Sequence, residues 1–140
     1  MENWVHELLL KWRKENVKLN PPSSIAEIES AESFLNFKFP PDFKEFYLQA
    51  DGFADLDWQQ HMFTLWPIEM IVTEFTKNRN KHFIGFCDFL IASHYIGFNK
   101  NRAGVYKAYG LFKLLEDGEL IADSFTQAIS LINSDDSSVY

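Results

Sequence analysis

Apolar residues recur along the first third of the chain at helical spacing. Trp4, Val5, Leu8, Leu9 and Trp12 share one face, with Glu2, Glu7, Lys11, Lys14 and Glu15 on the other. This predicts an amphipathic helix over about residues 2–18, ended by Asn20-Pro21-Pro22. Ser24 caps the next helix with Glu27 at the capping-box position, and Ile25, Ile28, Ala31, Phe34 and Leu35 form its expected buried stripe. Phe39-Pro40-Pro41 is an extended break, because a residue before proline is pushed out of the helical region. Pro41 suits a first helical turn, and Phe43, Phe46, Tyr47 and Ala50 follow on one face. Gly52 is placed to close that short helix in a left-handed conformation.

Beyond Gly52 the pattern changes. Met62 to Trp66 and Phe83 to Phe98 are aromatic and branched, and read as strands, with a short helix between them over Pro67 to Arg79. On that helix Ile68, Ile71, Val72 and Phe75 fall on one side. Val105 to Tyr109 alternates as a half-buried strand after the turn at residues 99–102. Phe112 to Leu115 and Leu120 to Ala122 flank Glu116-Asp117-Gly118-Glu119, a hairpin signal. Ser124 caps a final helix carrying Phe125, Ala128, Ile129 and Ile132 inward, and Ser134 to Tyr140 reads as a frayed polar tail. Helices first, strands in the middle and a helix last predict one α+β domain over residues 1–140, with a mainly antiparallel sheet.

Composition narrows the function. A chain of 140 residues buries roughly two-thirds of its unfolded surface. Fourteen Phe residues are expected chiefly in its core. The net charge of −7 disfavours direct binding of nucleic acid or an anionic membrane surface, which needs clustered Lys and Arg. Between Glu27 and Glu69 stand nine acids and two bases, Lys38 and Lys44, so this stretch carries the whole net charge. Such a stretch can steer a basic partner or simply be solvated helix surface. The single cysteine, Cys87, lies in an apolar run and is expected as a buried thiol, consistent with a reducing cytoplasm. Leu8-Leu9-Leu10 is too short for a signal core or a membrane span, so a soluble, cytoplasmic protein is expected.

Catalytic patterns are sparse. His6, His61, His82 and His94 show no metal-ligand spacing, and Cys87 has no CxxC partner. Cys87, Asp88 and His94 on adjacent strands are the nearest approach to a nucleophilic site. The basic group Lys77, Arg79, Lys81 and His82 reads as an exposed loop. No catalytic residue, cofactor or metal site is therefore assigned. The loop from Asp51 to His61 stands out because it mixes acids with aromatic rings. Asp51, Phe53, Asp55, Asp57 and Trp58 are the candidate partner contacts, although Phe53 and Trp58 can equally fold back onto the core.

The ordered pattern Ile25, Glu32, Leu35, Phe39-Pro40, Phe43, Phe46-Tyr47 and Gly52 resembles the N-terminal half of SUKH superfamily domains. Ile121-Ala122-Asp123-Ser124-Phe125 is similar to the closing signature of that family, and Phe86-Cys87-Asp88 with Ser93-His94-Tyr95 to its central strands. The resemblance covers about residues 22–134; Ala50-Asp51-Gly52 departs from the commoner Asn-Gly. It groups the chain with yeast cell-wall-assembly regulators and bacterial toxin-immunity proteins. It implies a non-enzymatic domain that neutralises a secreted toxin, often a nuclease or deaminase, by binding it; separately, the chain is expected to be a monomer or weak homo-oligomer. The alternative it implies is a regulatory scaffold of the cell-wall-regulator kind. The family has no shared catalytic residues, and its partner-binding residues vary.

Overall fold

The computed structural model describes residues 4–78, 80–90, 93–109 and 118–140. Among these the helices are α1 (Trp4–Lys14), α2 (Ile25–Leu35), α3 (Pro41–Tyr47), α4 (Ile68–Lys77) and α5 (Phe125–Asn133). The strands are β1 (Phe63–Leu65), β2 (Phe83–Phe89), β3 (His94–Asn99), β4 (Arg102–Ala108) and β5 (Glu119–Ala122). The strands pair antiparallel in chain order, an α+β meander. Four residues separate β2 from β3 and two separate β3 from β4, whereas α4 lies between β1 and β2. The expected Phe112–Leu115 strand lies outside the described residues, as do Glu116 and Asp117 of the expected turn.

Local chemistry sets the helix ends. Ser24 Oγ accepts from the Glu27 N–H, while Glu27 Oε1 accepts from the Ser24 N–H, completing the capping box of α2. Asn36 closes α2 in the left-handed region, at φ 54°. Glu32 is 4% exposed, and its Oε2 accepts the Phe39 N–H at 2.8 Å and lies 3.0 Å from Lys44 Nζ. The proline break is thus pinned to α2 by a buried, paired carboxylate.

The rings of the Phe39–Tyr47 segment build the centre of the core. Phe43 stacks between Phe39 and Tyr47 with centroids 4.2 Å from each, and meets Phe125 edge-on at 5.2 Å. Phe86 joins Phe125 and Phe98 at 5.2 and 4.9 Å. α1 packs on this same core. Its Trp12 is 1% exposed, donates its indole N–H to Asn133 Oδ1 at 3.0 Å, and lies edge-on to Phe53.

Five expectations need correction. α1 ends at Lys14 because Asn16, at φ 65°, turns the chain and folds Val17 into the core. α3 ends at Tyr47 with Leu48 as a right-handed cap, so Gly52 does not terminate it. Gly52 instead adopts φ 69° where a Cβ would stand 2.6 Å from the Trp66 carbonyl group, so the backbone approach itself excludes a side chain. Ile25 and Phe34, expected in the buried stripe of α2, are 62% and 57% exposed. The tail is ordered. Residues 137–139 form a 3-10 turn, Val139 is fully buried, and the Tyr140 ring lies 5.1 Å from Phe89. Lys107, on the strand expected to be half-buried, is covered as well and donates its Nζ proton to the Tyr140 carbonyl.

Candidate protein-binding site

The loop after α3 is strapped down along its length, and its five candidate contacts go to different places. Asn20 holds it with an N–H to the Gly52 carbonyl and a side-chain amide to the carbonyls of Asp51 and Phe53. Phe53 donates its N–H to the Leu65 carbonyl at 2.8 Å and bridges to Leu19, which turns its ring inward. At 2% exposure it is a core residue, and the expectation that it forms a surface contact is corrected. Asp57 Oδ2 accepts the Lys18 N–H at 2.7 Å, so this carboxylate ties the loop to the segment after α1. Asp55 is exposed on a 3-10 turn and takes φ 57°, a conformation that Asp tolerates better than most residues. Trp58 is 37% exposed.

Asp51 enters a groove between α2 and α4. Its Oδ1 accepts the Ile68 N–H at 2.8 Å, satisfying an unpaired donor at the start of α4, where Pro67 supplies no side-chain cap. Burial pushes the Asp51 carboxyl above the usual carboxylate range; Glu27 and Glu69 add to the push, and the Ile68 hydrogen bond opposes it. The groove has a volume of about 710 Å³. Phe34, Ala31 and Val72 give it apolar walls; Glu27, Asp51 and Glu69 give it a negative rim. No base stands among its described lining residues.

A second, smaller hollow of about 210 Å³ lies on the other side of α4. Its floor is the cross-strand row Thr64, Asp88 and Tyr95, which sit directly opposite one another on β1, β2 and β3. Trp66 donates its indole N–H to Asp88 Oδ2 at 2.8 Å and meets the Tyr95 ring edge-on at 6.0 Å. Met70 and Glu74 of α4 line one side, and Leu56 and Trp58 the rim. α4 is therefore the element common to both hollows. Sequence reasoning missed it because Glu69, Val72, Met70 and Glu74 read as an ordinary amphipathic helix.

The acidic stretch is less of a surface than its composition suggests. Glu32, Asp42, Asp51 and Asp57 all accept backbone N–H groups, and Glu45 accepts the Trp4 indole N–H. Glu29, Asp55 and Glu69 have side chains open to solvent, and Glu27 is exposed as well as capping. The region around Cys87 forms no Cys–His pair. The Cys87 thiol is 1% exposed, burial pushes its pKa well up, and its cross-strand neighbours are Leu65 and Ile96. His94 instead places Nε2 2.7 Å from the Val139 carbonyl. Among the described residues no group of three His, Cys, Asp or Glu side chains is arranged to hold a metal ion, and no helix is long and apolar enough to cross a membrane.

These pinned helices, the proline break and the antiparallel sheet coincide with a known family pattern: the profile of the SMI1 / KNR4 family (SUKH-1) matches residues 22–130. The chain belongs to that family. The match to SUKH-1 spans α2 through most of α5, so α1 stands before it. Both hollows lie within the SUKH-1 region. Comparison with curated proteins brings no match.

Proposed function

We propose that this SUKH-1 domain is a non-enzymatic binding protein of the immunity type, which neutralises a secreted toxin of nuclease or deaminase class by occluding a basic surface. The observation that carries the reading is the α2–α4 groove, where exposed Phe34 sits beside Glu27, Asp51 and Glu69 with no base among the described lining residues. An apolar anchor next to like-signed charge is the composition of an interface core with electrostatic steering. Toxins that cleave or modify nucleic acid need basic clefts to hold phosphate, so the charges are complementary.

The test is surface plasmon resonance of the domain against toxin domains of nuclease and deaminase class. Glu69→Lys should slow association at low salt, and Phe34→Ser should raise the dissociation rate at least tenfold, about 1.4 kcal/mol. A complex unaffected by both substitutions would remove the groove from the interface. Absence of any complex, with binding instead to several cellular proteins, would favour the regulatory-scaffold reading.

A further inference from the structure

We propose that a third hollow, between the proline break, the β3–β4 turn and the start of α5, binds a small neutral molecule with an apolar body and one carbonyl-type acceptor. The hollow has a volume of about 480 Å³. That lies within the roughly 300–1,000 Å³ of small-molecule sites, which are mostly apolar with a few placed polar groups. Phe37 stacks on Phe98 with centroids 5.6 Å apart, and these rings, Pro40 and Val105 give the hollow apolar walls. One buried donor points to the ligand. Asn99, at the end of β3, lines the hollow and is 3% exposed. Its Oδ1 accepts the Asn101 N–H at 2.7 Å, which fixes the amide and leaves Nδ2 as its free end. Nδ2 is buried without a hydrogen-bond partner among the described residues. Buried polar groups are almost always paired, so an orphan donor on an apolar wall marks the place for an acceptor.

Charge narrows the acceptor. Asp42 and Asp123 are the charged residues among the described lining, and no base accompanies them, so an anion would be repelled. The Asp42 oxygens are already engaged: Oδ1 accepts the Phe43 N–H at 3.0 Å, and Oδ2 takes both Thr126 donors. A cation would therefore find only the exposed Asp123 carboxylate and would face the donor end of Asn99. An uncharged oxygen, as in a ketone, ester or amide, fits both the orphan donor and the acids. This reading is independent of the α2–α4 groove, with which the hollow shares no described lining residue.

The test is an NMR titration of ¹⁵N-labelled protein with three probes that share a phenylalkyl body: benzylacetone, phenylbutyrate and phenylbutylamine. Benzylacetone, the neutral ketone, should shift the side-chain amide signals of Asn99 with about millimolar affinity, and the anion and the amine should bind at least about tenfold more weakly. Asn99→Asp keeps the acceptor for the Asn101 N–H and removes the orphan donor. Ala103→Leu adds bulk at an exposed lining position of β4. Each should weaken the ketone response several-fold, and Glu69→Lys, in the α2–α4 groove, should leave it unchanged. Should Asn99→Asp not fold, Ala103→Leu decides. No shift, equal shifts from the three probes, or a response indifferent to either folded variant would overturn the site. Shifts that spare the Asn99 amide would overturn its role. A blocked leucine peptide that binds more tightly than benzylacetone would overturn the assignment to a small molecule. Failure here would leave the α2–α4 groove standing, and failure of the groove variants against a toxin would leave this hollow standing.

Discussion

Asp42 and Thr126, 84 positions apart, are joined by two hydrogen bonds to one oxygen: Asp42 Oδ2 accepts the Thr126 N–H at 2.8 Å and its Oγ hydroxyl at 2.9 Å. Asp42 lies in the first turn of α3 and Thr126 in the first turn of α5. One carboxylate therefore satisfies a free donor at the start of α5 while sitting favourably at the start of α3. It ties the helix after the proline break to the helix that closes the chain.

Asp42→Ala should accordingly lower stability by about 1–3 kcal/mol, the cost of a lost cap with a donor left unpaired. Asp42→Asn should lose less, since an amide oxygen still accepts. Urea unfolding of both, and of the double variant with Thr126→Val, reads the coupling directly. Independent, additive losses would show that the hydroxyl bond of the tie contributes nothing.

Gly52→Ala should be costlier than its size suggests. The added methyl would meet the Trp66 carbonyl carbon and oxygen at 2.6 Å, and the φ of 69° is strained for alanine. Backbone atoms cannot rotate away as a side-chain end can, so a loss of at least about 2 kcal/mol is expected. A melting temperature equal to that of the parent protein would contradict the close approach.

Ile25→Ser and Phe34→Ser should leave stability within about 0.5 kcal/mol of the parent, because both side chains are more than half exposed. Thermal unfolding checks this. A drop of several kcal/mol would mean that these side chains are buried after all and would remove Phe34 from the binding surface.

Acid should loosen the C-terminal turn through His94. Its pKa is lowered, first by burial and also by Lys107, while the hydrogen bond to the Val139 carbonyl opposes the shift. A base with a lower pKa when folded binds fewer protons in the native state than in the unfolded one. Its contribution to stability is complete above the unfolded value, about 6.5, and is lost as pH falls from there through the lower folded value. Stability measured against pH should therefore decline more steeply below about pH 6.5 in the parent than in His94→Phe. Identical slopes would exclude His94 as the source.

Residues close in sequence made much of the fold legible. The capping box Ser24–Glu27, the break before Pro41, the ring face Phe43, Phe46 and Tyr47, and the cap at Ser124 all depend on groups within four positions of one another. The antiparallel pairing of β2, β3 and β4 followed from the few residues between those strands. The candidate site was legible only in outline. Composition marked the loop at Asp51–Trp58, but could not tell that Phe53 would turn inward under Leu19 and Leu65 while Trp58 stayed at a rim.

Sequence alone determined the helix caps, the α+β order, the aromatic core and the family pattern, because those rest on local backbone chemistry and on periodic burial. Tertiary structure alone decided which side of α2 would face solvent, that most acids of the Glu27–Glu69 stretch would hold N–H groups, and that the tail would be locked beneath Lys107 and His94. Each of these depends on a partner far along the chain. A carboxylate becomes a cap or a surface charge according to which donor packing brings to it.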